Sequence, residues 1–170
     1  MSRAFVTESD TDAALDALPD LPQSDHPNYV TPRGLRLLEQ RLAEAEERQR
    51  HLASLPEDPA TQLALANVER EHRYLEARIE RAILVDPAQS PLDEVAFGAE
   101  VEVIDPRGEH RRFTIVGEDE AEAELGKVSW VSPLARALIG AGVGDMVVWR
   151  RPAGEVELEV SAIRYPERGK

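Results

Sequence analysis

Glu57 and Asp58 are adjacent carboxylates that stand between two prolines, Pro56 and Pro59. Carboxylate oxygens are the hard ligands that Mg²⁺ prefers, and a Mg²⁺ ion near a phosphodiester can activate water for attack on it. The opposite interpretation is that the two acids only form part of a proline-flanked loop. The residues by themselves leave both interpretations open.

The remaining polar groups carry weaker signals of chemistry. The four histidines are widely spaced, and His72 falls on an apolar helical seam, which favours a tolerated polar residue over a metal ligand. The acidic run 118–124 lacks the ligand order and the glycine of an EF-hand, which favours a solvated loop. Cysteine and the nucleophile motif Gly-x-Ser-x-Gly are both absent. We therefore expect no metal and no cofactor in the free protein.

The charge of the chain limits the class of its partners. Its 170 residues include 33 acids and 20 lysines and arginines, and the net charge is −13. Free DNA or RNA is disfavoured as the main ligand, because phosphate binding needs clustered basic residues. Protein partners are the better expectation. We also expect a cytoplasmic protein, because the sequence has neither a run of about 18 apolar residues nor a signal-peptide pattern.

Residues 1–30 differ in composition from the rest of the chain. They carry six acids, one arginine and three prolines, and their apolar residues are few and scattered. Such a segment cannot bury enough apolar surface to offset the entropy lost on ordering. We predict a mostly disordered acidic tail over residues 1–30.

The segment 31–86 has the pattern of two helices joined by a short loop. Thr31 followed by Pro32 is a helix-start signal, because the hydroxyl caps a free N–H and proline needs no partner in the first turn. Apolar residues then recur at alternating spacings of three and four, which is a heptad seam. The first seam has one polar interruption and consists of Leu35, Leu38, Leu42, Ala45, Gln49 and Leu52. The second seam has the same spacing and consists of Leu65, Val68, His72, Leu75, Ile79 and Ala82.

Two heptad arms joined by so short a loop are expected to fold back on each other. We predict helices over residues 32–55 and 60–84 that form an antiparallel coiled-coil hairpin with its tip near 56–59. Each arm of about 24 residues would be roughly 36 Å long. An ordinary helical pair packed into a globule would need a third apolar stripe, which the segment lacks. The residues between the seams predict a mixed-charge solvated face: Glu39, Arg41, Glu44, Glu46, Glu47, Arg48, Arg70, Glu71, Arg73, Glu76 and Arg78.

Residues 91–167 change to the two-residue period of β-strands. Turn signals separate the strands, and Ser132-Pro133 opens a short helix that Gly140 closes. The predicted strands cover residues 99–104, 111–116, 146–149 and 156–160. Mostly antiparallel strands with one helix predict a small domain, and the chain as a whole is predicted to be α+β.

Several motifs, in their order along the chain, resemble the GreA/GreB family of bacterial transcription elongation factors over about residues 29–165. The motifs are Tyr29–Gly34, Phe97–Ala99, Ile115–Ala121, Ser132–Gly140, Gly144-Asp145, Pro152–Glu155 and Ile163–Tyr165. The resemblance implies that the C-terminal domain is FKBP-like and that the heptad arms are the family's coiled-coil hairpin.

The resemblance also implies a function and a partner. The C-terminal domain would grip the rim of the secondary channel of RNA polymerase, and the hairpin would enter that channel. The tip carboxylates Asp58 and Glu57 would help to hold a second Mg²⁺ ion in the polymerase active centre, where backtracked RNA is cleaved. The chemistry would be the polymerase's, so the chain itself is not expected to be an enzyme or to bind nucleic acid alone. We expect the docking contacts near Trp130, at Ser129, Ser132, Pro133 and Arg136.

Two departures from the family pattern leave other functions open. The family tip resembles Gly-Asp, two variable residues, then Glu-Asn-Ala, whereas this chain has Thr61 where the second acid is expected. Both arms also look about one heptad short, or roughly 10 Å. A channel binder that regulates or inhibits without stimulating cleavage, like the nucleoside diphosphate kinase regulators, is therefore a second hypothesis. A prolyl isomerase or chaperone using the FKBP-like fold is a third.

Overall fold

The computed structural model describes residues 18–166 and divides into two compact units. Within the described residues, one unit comprises residues 18–25 and Leu38–Arg81, and the other comprises His26–Leu37 and residues 82–166. Within the described part of the chain, no helix is both long enough and apolar enough to cross a membrane. Most of the predicted acidic tail, residues 1–17, lies outside the described residues.

The two predicted arms are helices α1 (Pro32–Ala53) and α2 (Pro59–Glu80), each of 22 residues and therefore about 33 Å long. They run antiparallel, because residues later in α1 contact residues earlier in α2. The contacts pair Arg48 with Glu71 at 2.9 Å, Gln49 with Glu69 at 3.3 Å, and His72 with Glu46 at 3.7 Å.

Apolar seam residues of both helices are buried in the hairpin unit. Leu38, Ala45 and Leu75 have no exposed surface, and Val68 is 8% exposed. A fully buried leucine contributes about 1.5–3 kcal/mol, so this seam is a main source of the hairpin's stability. The 3–4 spacing therefore predicted the packing face of both helices.

One charged residue of the predicted solvated face is buried. Arg78 is only 1% exposed, so its assignment to that face was wrong. A heptad seam identifies only the side of α2 that faces its partner helix. The chain before His26 also lies along α2, where Asp20 pairs with Arg73 at 2.8 Å and the Gln23 amide donates to the Tyr74 carbonyl at 3.4 Å.

The second helix ends earlier than predicted. Residues 82–84, predicted as helical, form strand β2 (Ala82–Leu84), which pairs in parallel with β1 (Asn28–Val30). The end of the predicted disordered tail is therefore also an ordered strand. Ala82 fits the heptad spacing, but the run that follows it, Ile83-Leu84-Val85, favours extended backbone once a partner strand is present.

The C-terminal part of the chain forms a five-stranded sheet with one short helix. The sheet order is β5-β4-β3-β7-β6, and every pair is antiparallel except β4 with β5. Together with the helical hairpin this confirms the α+β class. The elements are β3 (Glu100–Ile104), β4 (His110–Val116), β5 (Lys127–Ser129), α3 (Pro133–Leu138), β6 (Met146–Arg151) and β7 (Gly154–Arg164).

Helix α3 packs against one face of this sheet. Leu134, Ala135 and Leu138 of the helix are buried in one cluster with alternate strand residues such as Val101 and Val160. We call this face of the sheet the inward face. Along the strands, residues of the inward face alternate with charged residues of the outward face, and this period of two predicted the strands.

Candidate functional site

Asp58 occupies the N-cap of helix α2 at the hairpin tip. Its Oδ1 atom accepts from the Thr61 backbone N–H at 2.9 Å, and its Oδ2 atom accepts from the Thr61 hydroxyl at 3.1 Å. Pro59 fills the first helical position. Asp58-Pro59 is thus a second helix-start signal of the Thr31-Pro32 type, and it was present in the sequence.

The cap keeps Asp58 charged and oriented at an exposed position. The backbone N–H of Thr61, followed by its hydroxyl, lowers the pKa of the Asp58 carboxyl. Each carboxylate oxygen retains acceptor capacity beyond these two hydrogen bonds. Glu57, also exposed, precedes it. The tip therefore offers two neighbouring carboxylates whose donor chemistry fits Mg²⁺.

The depressed pKa of Asp58 predicts a pH-dependent contribution to stability. Because the folded-state pKa lies below the unfolded one, the cap should stabilise α2 fully above the unfolded pKa and lose this effect as pH falls through the folded pKa. The melting temperatures of the wild type and Asp58→Ala should therefore differ at about pH 7 and converge near about pH 2. Asp58→Asn keeps a capping side chain but has no charge there. Its melting temperature should therefore differ from that of Asp58→Ala by an amount that does not change with pH.

The four predicted docking residues lie together in one turn between β5 and α3. The Ser132 hydroxyl caps α3 by accepting from the Ala135 N–H at 3.2 Å. Its backbone N–H donates to the Ser129 carbonyl at 2.9 Å, which closes the turn. Pro133 is the first residue of α3, and both Pro133 and Arg136 are exposed. We call residues 129–136 the docking turn.

The docking turn is anchored by Trp130. Its backbone N–H donates to the Val116 carbonyl at 2.9 Å, and its half-buried ring packs against the domain core. The Tyr29 ring meets it edge-on with centroids 5.0 Å apart, and the His26 ring does so at 5.9 Å. These contacts hold the turn rigidly, so its exposed side chains keep a defined geometry.

A buried carboxylate lies at the start of helix α1. Glu120 is 8% exposed, so the expectation that the whole run 118–124 is a solvated loop was wrong at this residue. Its Oε2 atom accepts from the Thr31 hydroxyl at 2.5 Å, and its Oε1 atom lies 3.8 Å from the Lys127 ammonium. A carboxylate at this position also suits the positive end of the helix dipole. We call Thr31, Gly34, Glu120 and Lys127 the root cluster.

Close backbone approaches explain two glycines near the root cluster. A Cβ atom on Gly34 would lie 2.8 Å from Glu120 Oε2, and one on Gly117 would lie 2.4 Å from the Tyr29 carbonyl oxygen. The motifs Tyr29–Gly34 and Ile115–Ala121 therefore meet in the structure. Gly34, in the first turn of α1, was the sequence signal for this close approach.

Nothing in residues 18–166 forms a metal site by itself. No group of three or more histidine, cysteine, aspartate or glutamate side chains in this range is arranged to hold an ion. His72, half-buried on the hairpin, lies 3.3 Å from Glu76 and 3.7 Å from Glu46.

Comparison with known proteins relates most of the chain to one family. A family model described as transcription elongation factor, GreA/GreB, C-terminal, matches residues 89–165. Transcription elongation factor GreB of Neisseria meningitidis serogroup B is 40% identical over 102 residues, or 59% of this chain and 63% of that protein. The chain thus spans less than two thirds of this relative's length. Transcription elongation factor GreA of Methylobacterium nodulans is 38% identical over 151 residues, or 80% of this chain and 96% of that protein.

Solved structures with matching segments include two Gfh1 proteins. The crystal structure of Thermus aquaticus Gfh1 is 27% identical, with 80% of this chain and 97% of that chain covered at a TM-score of 0.40. GreA factor homolog 1 (Gfh1) of Thermus thermophilus is 26% identical, with 82% and 99% covered at a TM-score of 0.38.

Proposed function

The chain belongs to the GreA/GreB family of transcription elongation factors, and from this premise we propose that it binds RNA polymerase and inserts its hairpin tip into the secondary channel. There it promotes cleavage of backtracked RNA. The polymerase supplies the active centre and its Mg²⁺ ion, so this chain has no catalytic activity and no cofactor of its own. Nascent RNA and DNA are met only through the polymerase, in the cytoplasm.

The docking turn supports the proposed grip on polymerase. Two serines, a proline and an arginine lie within eight residues of chain, and internal hydrogen bonds hold their backbone in place. A preorganised turn of this kind loses little entropy when it binds, which favours affinity. Arg136 is exposed on α3 and is available for a charged or polar partner.

The geometry of the tip supports the proposed role in RNA cleavage. Asp58 is exposed at the end of a stable helix, and its cap orients the carboxylate. A carboxylate held near a Mg²⁺ ion adds an oxygen ligand and helps the metal to activate water. This oriented and charged Asp58 is the single observation that carries the cleavage proposal.

A second candidate function is occupation of the channel without stimulation of cleavage. The observation that favours it is Thr61, which stands where the family has its second acid and which donates to both oxygens of Asp58. With one acid instead of two, and with that acid engaged in capping, the tip would obstruct the channel and inhibit or regulate the polymerase.

We expect Arg136→Glu to weaken binding to RNA polymerase about tenfold or more, because central interface residues cost about 2 kcal/mol when lost. The measurement is a titration of the full chain against core polymerase. Arg150→Glu is the matched control, since Arg150 is equally basic and exposed but lies on β6 outside the docking turn. Equal losses for the two variants would show that only net charge matters, and the assignment of the docking turn would then be wrong.

A further inference from the structure

The inward face of the sheet carries arginines where alternation predicts apolar residues. Arg111 stands directly opposite the fully buried Val103 in the β3–β4 register, so it belongs to the same face. Arg151 follows Trp149 by two residues on β6 and shares the inward face with it. Both arginines lie toward the end of the sheet that carries the β3–β4 and β6–β7 turns, beyond the residues that α3 covers.

These arginines surround a cavity of about 300 Å³. Trp149, Val156 and Leu158 form its apolar wall, and Arg107, Arg111 and Arg151 supply its positive charge. Arg107 and Arg111 are exposed and Arg151 is half-buried, so an anion in the cavity would lie between positive charges that solvent only partly screens.

The charged groups of the cavity are only partly neutralised by the protein. The Arg151 guanidinium lies 5.0 Å from the Trp149 ring centroid, and its buried Nε atom has no hydrogen-bond partner within residues 18–166. Arg111 makes one long contact with Glu109, at 3.6 Å.

Asp105 is the acid of the cavity lining, and its charge partly offsets those of Arg111 and Arg107. Its Oδ1 atom accepts from the N–H groups of Glu109 and Arg107 at 3.0 and 2.8 Å, and these bonds, together with the nearby Arg111 and Arg107 charges, lower the pKa of its carboxyl. Three arginines and one aspartate leave the lining with two net positive charges.

We propose that this cavity binds a small organic phosphate that carries a flat ring, such as a mononucleotide. Guanidinium groups pair with phosphate oxygens in a bidentate manner, and the Arg151 guanidinium, which lies over the Trp149 ring, offers a flat surface on which a planar ring can stack. A volume of about 300 Å³ is at the lower end of the range for small-molecule sites, which fits one phosphate and one ring system rather than a larger ligand. The proposal does not rest on the polymerase-binding function.

Fluorescence of Trp149 provides the test. The chain has two tryptophans, so Trp130→Phe leaves Trp149 as the sole reporter at the cavity. Titration of this full-length variant with adenosine monophosphate should quench the emission saturably, with an affinity about tenfold higher than that for inorganic phosphate.

Variants on the two faces of one strand give the control. In the same background, Arg151→Gln and Arg111→Gln should each weaken binding of the mononucleotide about tenfold, since each removes a charged hydrogen-bond donor. Arg150→Gln removes the same charge from the neighbouring residue on the outward face and should leave the affinity unchanged. Arg111→Gln should leave the melting temperature of the free protein nearly unchanged, because Arg111 is exposed, whereas Arg151→Gln loses the contact with Trp149 and should lower it slightly.

Three outcomes would overturn the proposal. The first is the absence of saturable quenching with the mononucleotide. The second is an equal loss of affinity in Arg150→Gln and Arg151→Gln, which would indicate non-specific attraction. The third is binding of inorganic phosphate as tight as that of the mononucleotide, which would remove the role of the ring. If Arg151→Gln does not fold, Arg111→Gln decides the question.

Discussion

Asp58→Asn is expected to lower stimulation of RNA cleavage about tenfold or more while binding to polymerase stays within about twofold. Asparagine is as good an N-cap as aspartate, so helix α2 should keep its start and only the negative charge is lost. The measurement is cleavage of RNA in backtracked polymerase complexes, with polymerase affinity determined in parallel. Reduced RNA cleavage with unchanged polymerase affinity would show that Asp58 acts at the metal and does not contribute to polymerase binding.

Glu57→Gln is the matched comparison for this prediction. It removes the same charge from the adjacent exposed residue, which does not cap the helix, and we expect a smaller effect on cleavage. Normal cleavage by both variants would eliminate the metal role of the tip. No cleavage by the unmodified chain would favour the inhibitory function instead.

Thr61→Glu tests the same two candidate functions by adding an acid to the tip instead of removing one. Glutamate at this position restores the second acid of the family tip and, as the third residue of α2, forms a capping box with Asp58. If the tip reaches the polymerase metal, cleavage should increase in this variant. An unchanged low activity would indicate that the tip stops short of the metal.

Removal of the buried carboxylate of the root cluster is expected to have the largest effect on stability. Glu120→Ala deletes the acceptor of the Thr31 hydroxyl and leaves Lys127, whose side chain is 15% exposed, without its carboxylate. Breaking one partner of a buried pair costs about 3 kcal/mol. Urea unfolding of the full chain should show this loss at neutral pH.

Two further variants of the acidic run control for this prediction. Glu120→Gln keeps an acceptor for Thr31 but removes the charge, so it should cost less than alanine, at about 1–2 kcal/mol. Glu124→Ala removes an exposed acid from the same run and should change stability by less than about 0.5 kcal/mol. Equal unfolding midpoints for Glu120→Ala and Glu124→Ala would mean that the root cluster does not stabilise the fold.

Features that depend on neighbouring residues were predictable from the sequence. The packing faces of α1 and α2 follow from apolar residues three and four positions apart, which any helix brings to one side. The docking turn follows from Ser132-Pro133, because capping needs only the hydroxyl and the next few N–H groups. Asp58 belongs with these features, because its cap needs only the N–H of Thr61, three residues later.

Features that depend on a distant partner were decided by the tertiary structure. Strand β2 exists because Asn28–Val30, more than fifty residues earlier, lies beside Ala82–Leu84 and takes up its backbone hydrogen bonds. Glu120 looks like any other acid of its run until Thr31 and Lys127 enclose it. Arg151 looks like a surface charge until the strand register places it on the inward face beside Trp149, whereas Arg111, on the same face, stays exposed.

The sequence by itself thus determined the helical hairpin, its tip acids, the docking turn and the two-residue period of the sheet, because local spacing sets which side of an element a residue occupies. Only the tertiary structure decided which charged side chains are enclosed, since burial depends on the surface that another element presents. The root cluster and the half-buried Arg151 of the cavity are both of this second kind, since each depends on a segment at least thirty-five positions away in the chain.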